Sequence, residues 1–120
     1  MNADRLLNQP VDWSVDSASS ANATNTATKA AVATKKHICF GFWVSYSASV
    51  ATAHTIVYTD GVTTQTIQVP VGLVSHPVTI DCTRRPRVGA VNTAVTVTVG
   101  AAGSAIVSSV NFSGYTEVAE

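Results

Sequence analysis

Charge is what this sequence has least of. Lys, Arg, Asp and Glu make up 12% of its 120 residues, with seven bases against seven acids, where an average soluble protein carries about 25%. A small monomer relies on mixed surface charge for solubility. A chain this sparsely charged is therefore expected to bury part of its outer surface against partners. The balance of signs excludes the basic stripe of a nucleic-acid binder; the basic clusters are Lys35-Lys36 and Arg84-Arg85 with Arg87. No run approaches 18 apolar residues, so no membrane span is expected. The opening "MNADRLLNQP" sets Asp4 and Arg5 before two leucines, which is no secretory-signal core. The expectation is synthesis in a cytoplasm, with Cys39 and Cys82 beginning as thiols. Two cysteines make no disulfide scaffold; a bridge between them stays open, since both lie in strand-like segments.

Groups arranged for chemistry are equally scarce. A nucleophilic Ser or Cys needs an adjacent base, and no serine here sits in a Gly-x-Ser-x-Gly elbow. The acids after residue 22 are Asp60, Asp81, Glu117 and Glu120. Asp60 belongs to a turn, the glutamates to the C-terminal end, and Asp81 reads as the partner of a nearby arginine, so a glycosidase carboxylate pair is not expected. No phosphate-cradling Gly loop follows a strand. His37 and Cys39, two apart on one strand, share a face and could bridge a metal, with His76 and Cys82 as further ligands. Their spacing matches no familiar zinc pattern, and a packed, hydrogen-bonded histidine is the simpler reading. No catalytic, cofactor-binding or metal-binding residue is assigned, and no enzyme is expected. Asn22-Ala-Thr24 and Asn111-Phe-Ser113 fit the glycosylation pattern, which carries no weight without a secretory signal.

What is present is a β pattern. In "GAVNTAVTVTVG", Val95, Val97 and Val99 are predicted to point into a core, with Ala94, Thr96 and Thr98 outward. An exposed Thr face lacks the usual charged guard against edge pairing, so a covering partner would explain it. "TNTATKAAVA" reads as strand because Asn25 and the threonines oppose a helix. "KHICFGFWVSYSAS" reads as a central strand, with Ile38, Phe40, Phe42, Val44 and Tyr46 on one face and His37, Cys39, Gly41, Trp43 and Ser45 on the other. Gly41 marks a bulge or close approach, and Trp43 is expected to pack in the core or on a sheet face. Asp60-Gly61 fits a two-residue type I′ hairpin. Pro70 and Pro77 confine their segments to edges or strand starts. "PVTIDC" is a short strand ending at the loop "TRRPRVG". No long segment carries a 3.6-residue period. The prediction is an all-β fold, an antiparallel β-sandwich or jelly roll of about eight strands over residues 23–120.

Residues 1–22 read as an extended N-terminal arm. They hold isolated apolar points, Leu6, Leu7, Val11, Trp13 and Val15, and a Ser-rich tail. Val11, Trp13 and Val15 alternate, which also allows a short strand folding back on its own sandwich. Burying one Trp removes about 200 Å² from water, enough to anchor an arm. These five residues, with Arg84, Arg85 and Arg87 of the loop, are the candidate partner interface, because a guanidinium fork suits carboxylates on a neighbouring subunit. For glycan recognition the candidates are Tyr46, Tyr58 and Tyr115.

The segments Thr26–Ala31, Lys36–Cys39, Asp60-Gly61, Asn92–Ala94 and Gly114-Tyr115 resemble the motifs of a group of small β-rich proteins encoded in phage and prophage structural regions. The likeness covers roughly residues 24–118 and leaves the arm unmatched. It implies a virion component assembled in the host cytoplasm. The first expectation is a capsid decoration (cement) protein bound to the major capsid protein as a homo-oligomer, a trimer being favoured. The alternative is a tail, neck or fibre part with host-surface glycan recognition. It implies no activity and no cofactor.

Overall fold

A computed structural model of the chain describes residues 11–72 and 78–118. Within them nine strands follow in order: β1 (Val11–Ala18), β2 (Asn25–Lys29), β3 (Lys35–Tyr46), β4 (His54–Thr59), β5 (Thr64–Val69), β6 (Val78–Asp81), β7 (Arg87–Val88), β8 (Val95–Val99) and β9 (Ser108–Val118). No helix occurs among the described residues. The strands form two antiparallel sheets. Sheet one runs β1-β9-β3-β6, with β7 also paired to β3; sheet two runs β2-β8-β4-β5.

The period-2 alternation of the sequence sets which faces meet. In sheet two, Ala27, Ile56, Tyr58, Val69 and the three valines of β8 turn inward and are buried. Sheet one answers with Cys39, Phe42, Val44, Val110 and Phe112. Phe42 and Tyr58 stack between the sheets, centroids 5.6 Å apart and planes within 6°. Asn25, 3% exposed, ties the sheets together at one end. Its amide nitrogen donates to the carbonyls of Ser17 (3.0 Å) and Ser108 (3.1 Å), and its oxygen accepts from the Ser17 hydroxyl (2.6 Å). A buried amide is tolerable only when satisfied in this way.

Four expectations need correction. First, the extended arm does not reach residue 22. Val11 to Ala18 is strand β1, antiparallel to β9 from Val11↔Thr116 to Ala18↔Ser109. The reason lies in the Trp13↔Gly114 pair. Gly114 has no side chain, so the indole lies over its backbone, edge-on to Phe112 (5.4 Å) and His37 (5.8 Å), with the Lys29 ammonium 5.9 Å from the ring. An aromatic laid across a strand glycine restores the packing that the glycine lacks. Leu6 and Leu7 lie outside the described residues, as do His76 and Pro77.

Second, the faces expected for β3 hold only on one side of Phe40. The register shifts between Cys39 and Gly41, a bulge in which one strand gains a residue and its alternation inverts. Cys39 thus joins Phe42 and Val44 in the core. Gly41 has φ +138, and a Cβ there would strike the Ile80 carbonyl. Third, the Asp60-Gly61 hairpin has a four-residue loop, not two, because the last cross-strand pair is Thr59↔Thr64. Asp60 stays at negative φ while Gly61 is at +90, and a type I′ turn requires positive φ at both. The Asp60 carboxylate instead accepts the N–H groups of Val62 (2.9 Å) and Thr63 (2.7 Å). Fourth, the loop after Cys82 contains the two-residue β7, held by Ile38↔Val88 and Cys39↔Arg87.

Candidate interaction surfaces

The two outer faces differ in kind. On sheet two every outward strand position is uncharged. One cross-strand row reads Thr28, Thr96, Thr59, Thr64; the next reads Thr26, Thr98, Val57, Thr66; Thr55 and Gln68 follow. With strands about 4.8 Å apart, neighbouring hydroxyls meet: Thr26 with Thr98 at 3.4 Å, Thr64 with Thr59 at 3.3 Å. Thr favours the pleated surface through its branched Cβ, so the face is good strand material. Its outward positions carry no lysine to blunt pairing; the charge on the sheet's strands is Lys29, inward at the end of edge strand β2, and β5 at the other edge is a full six residues long.

Sheet one's outer face carries Trp43, 42% exposed, among polar residues. Asn111 lies opposite it on β9 and Thr79 on β6. Asp16 accepts from the Asn111 amide, and Asp81 stands one outward position along β6. The Asp81 carboxylate, expected to pair with an arginine, accepts from the Thr83 N–H (2.9 Å) and hydroxyl (2.6 Å). Those bonds hold its pKa below the ordinary carboxylate value, with Arg84 a lesser contributor. The ion pair among the described residues is Lys36 with Glu117, at 3.5 Å.

Of the expected interface residues, the structure turns several inward. Trp13 and Val15 pack against the core cluster, and the backbone of Val11 pairs with Thr116. Arg87 lies over the Tyr58 ring, 4.7 Å from its centroid, and donates to Gln65. Arg84 and Arg85 remain exposed in the turn. The three tyrosines are likewise engaged. Tyr46 donates to His54 Nε2 (2.6 Å), while His54 Nδ1–H donates to the Thr52 carbonyl (2.8 Å). Tyr58 is wholly buried, and Tyr115 packs on Phe40. Sequence reasoning passed over Trp43 as an exposed aromatic. The available signal was its neighbours two positions away, Gly41 and Ser45, which are too small and polar for a core face.

The chemical groups are occupied structurally. His37 is 1% exposed. Its Nε2–H donates to the Ala30 carbonyl (2.8 Å) and Nδ1 accepts from the Thr116 hydroxyl (2.6 Å), so neither nitrogen is free for a metal. Cys39 is buried, and desolvation pushes its thiol pKa up, away from the reactive thiolate. Burial also pushes Tyr46 up to about 12. Cys39 and Cys82 are both free thiols. Among the described residues no three His, Cys, Asp or Glu side chains gather as metal ligands. Compared with protein-family models and with curated proteins, the sequence matches none.

Proposed function

We propose that this chain is a virion structural protein, a capsid decoration protein that binds the outer surface of a phage head and stabilises it by contact alone. One observation carries the reading: the outer face of sheet two is a threonine array without a single charge. Such a face offers no charge to oppose a second surface, and covering it is what a neighbouring subunit would do. The partner in this reading is the major capsid protein, and the chain acts as a homo-oligomer, a trimer being favoured. Linking several weak faces raises the effective concentration of each, so modest contacts hold firmly. Arg84 and Arg85 supply guanidinium forks for carboxylates at the rim.

The strand order supports a jelly roll as the finer description of the fold. With the two-residue β7 set aside and the remaining eight strands renumbered, the sheets read 1-8-3-6 and 2-7-4-5. Two intertwined Greek keys produce that order, and it recurs in viral capsid and lectin domains. Fold does not by itself imply function, so the threonine face remains the argument. A tail, neck or fibre position is the second reading, favoured by the exposure of Trp43.

Counting this chain per particle by quantitative mass spectrometry of purified virions tests the proposal. Copies on the order of hundreds, as symmetric coating of a head requires, support decoration. A few copies per particle support the second reading, and absence from virions removes both.

A further inference from the structure

We propose that the outer face of sheet one binds an uncharged cell-surface polysaccharide, with Trp43 as the stacking platform. The choice of a cell-surface ligand rests on the virion reading, though not on whether the chain coats a head or sits on a tail. It concerns the face opposite the threonine array, which stays free when that array is covered.

Trp43, a large aromatic left 42% exposed on a sheet face, forfeits part of the burial that usually stabilises an indole, and its outward neighbours on the sheet leave that part open. Two grooves flank the indole. One, of about 250 Å³, is walled by Thr79, Asp81, Asn111 and Ser113; the other, of about 310 Å³, by Asp16, Ser17 and Ser109. Each sits at or below the lower end of the ~300–1,000 Å³ that holds drug-sized ligands. The pair, with a ridge of indole between, suits a chain of small rings crossing the strands better than one compact molecule.

The chemistry of the walls selects the ligand. The C–H face of a pyranose carries slight positive charge and lies well on the negative face of an indole. Vicinal sugar hydroxyls need acceptors and amide groups at hydrogen-bond range, and carboxylates and Asn supply them. Asn111 is already oriented by its bond to Asp16, so part of the polar set is pre-arranged. A protein partner fits less well. Protein interfaces are depleted of charge at their core, whereas here Trp43 has Asp16 and Asp81 within its two flanking grooves. Desolvating those carboxylates without hydroxyl partners is costly. The same acids disfavour sialylated or uronic chains through like-charge repulsion.

The test is an array of purified bacterial surface polysaccharides, with neutral glucans, mannans, galactans and N-acetylglucosamine oligomers beside sialylated and uronic controls. The full chain is compared with Trp43→Ala and Trp43→Tyr. The expected result is retention on at least one neutral glycan, weakened about tenfold or more in Trp43→Ala and partly restored in Trp43→Tyr, measured at a temperature where melting curves show all three chains folded. Quenching or shift of Trp43 emission by the same glycan, absent from Trp43→Ala, is the second readout. No neutral glycan retained, binding indifferent to Trp43, or binding confined to anionic chains overturns the proposal. So does a self-associated state that Trp43→Ala breaks up, which would assign the face to a second copy of the chain.

Discussion

The Tyr58 hydroxyl donates to the Asp60 carboxylate across 2.7 Å in the interior of the protein. Both residues are fully buried, and the other carboxylate oxygen accepts two backbone N–H groups of the β4–β5 loop. One acid therefore closes a hairpin and satisfies a core tyrosine. Asp60→Ala should leave three donors without their partner and lower stability by about 3 kcal/mol or more. Asp60→Asn, which keeps one acceptor oxygen, should lose less. Urea denaturation of the two variants checks the order; equal midpoints would show the bonds to be dispensable.

Alkaline pH should destabilise this protein through the buried Tyr58 and the half-buried Tyr46. Burial and the bond to Asp60 push the Tyr58 pKa far up, and burial pushes Tyr46 up to about 12. An unfolded tyrosine loses its proton near pH 10, at about the reference value. Above that pH the unfolded chain binds fewer protons than the folded one, so stability falls as pH rises from about 10; below it these groups add no slope. Cys39, also raised, begins the same trend from its ordinary value of 9.0. Denaturant midpoints measured from pH 7 to 12 should be level and then decline. Tyr58→Phe should flatten part of the decline while lowering the neutral-pH midpoint. A wild-type midpoint that holds level to pH 12 would contradict this.

Trp13 and Gly114 should behave as one unit. A Cβ at Gly114 would collide with the Ile38 carbonyl and press on the Trp13 ring, 2.9 Å away. Gly114→Ala is expected to destabilise by about 3 kcal/mol or more, and Trp13→Ala by about 2–3 kcal/mol for a half-buried indole. Because the two residues touch, the double variant should fall short of the sum. Full additivity would mean that the indole does not rest on the glycine, and β1 would lose its stated reason for joining the sheet.

The alternation of Val and Thr was enough to read β8, since both of its faces obey the period of two and its core residues need no distant partner to be recognised. Residues whose placement depends on another strand were not legible in the same way. Trp13 looked like an anchor for a foreign surface because its cover, Gly114, lies far along the chain in β9. Arg87 looked like a loop cation because nothing local announces the Tyr58 ring beneath it. The Phe40 bulge was foreshadowed by Gly41, yet its effect, moving Cys39 onto the core face, follows from the register with β9. The charge-free outer face of sheet two emerges only when β2, β8, β4 and β5 are set side by side, although each strand shows its own threonines. Which residues share each outer face could not be seen before the strand order was known.

The proposed decoration role requires the threonine array of sheet two to be an interface. If the chain decorates phage heads as proposed, the direct measurement is co-sedimentation with undecorated heads, using the wild-type chain, the double variant Thr66→Glu/Thr98→Glu and Trp43→Ala. The glutamates replace exposed or half-exposed side chains, so the fold should hold, as a melting curve would verify. The wild type and Trp43→Ala should pellet with the heads, and the glutamate pair should stay in the supernatant. Full decoration by the folded glutamate variant would contradict the account.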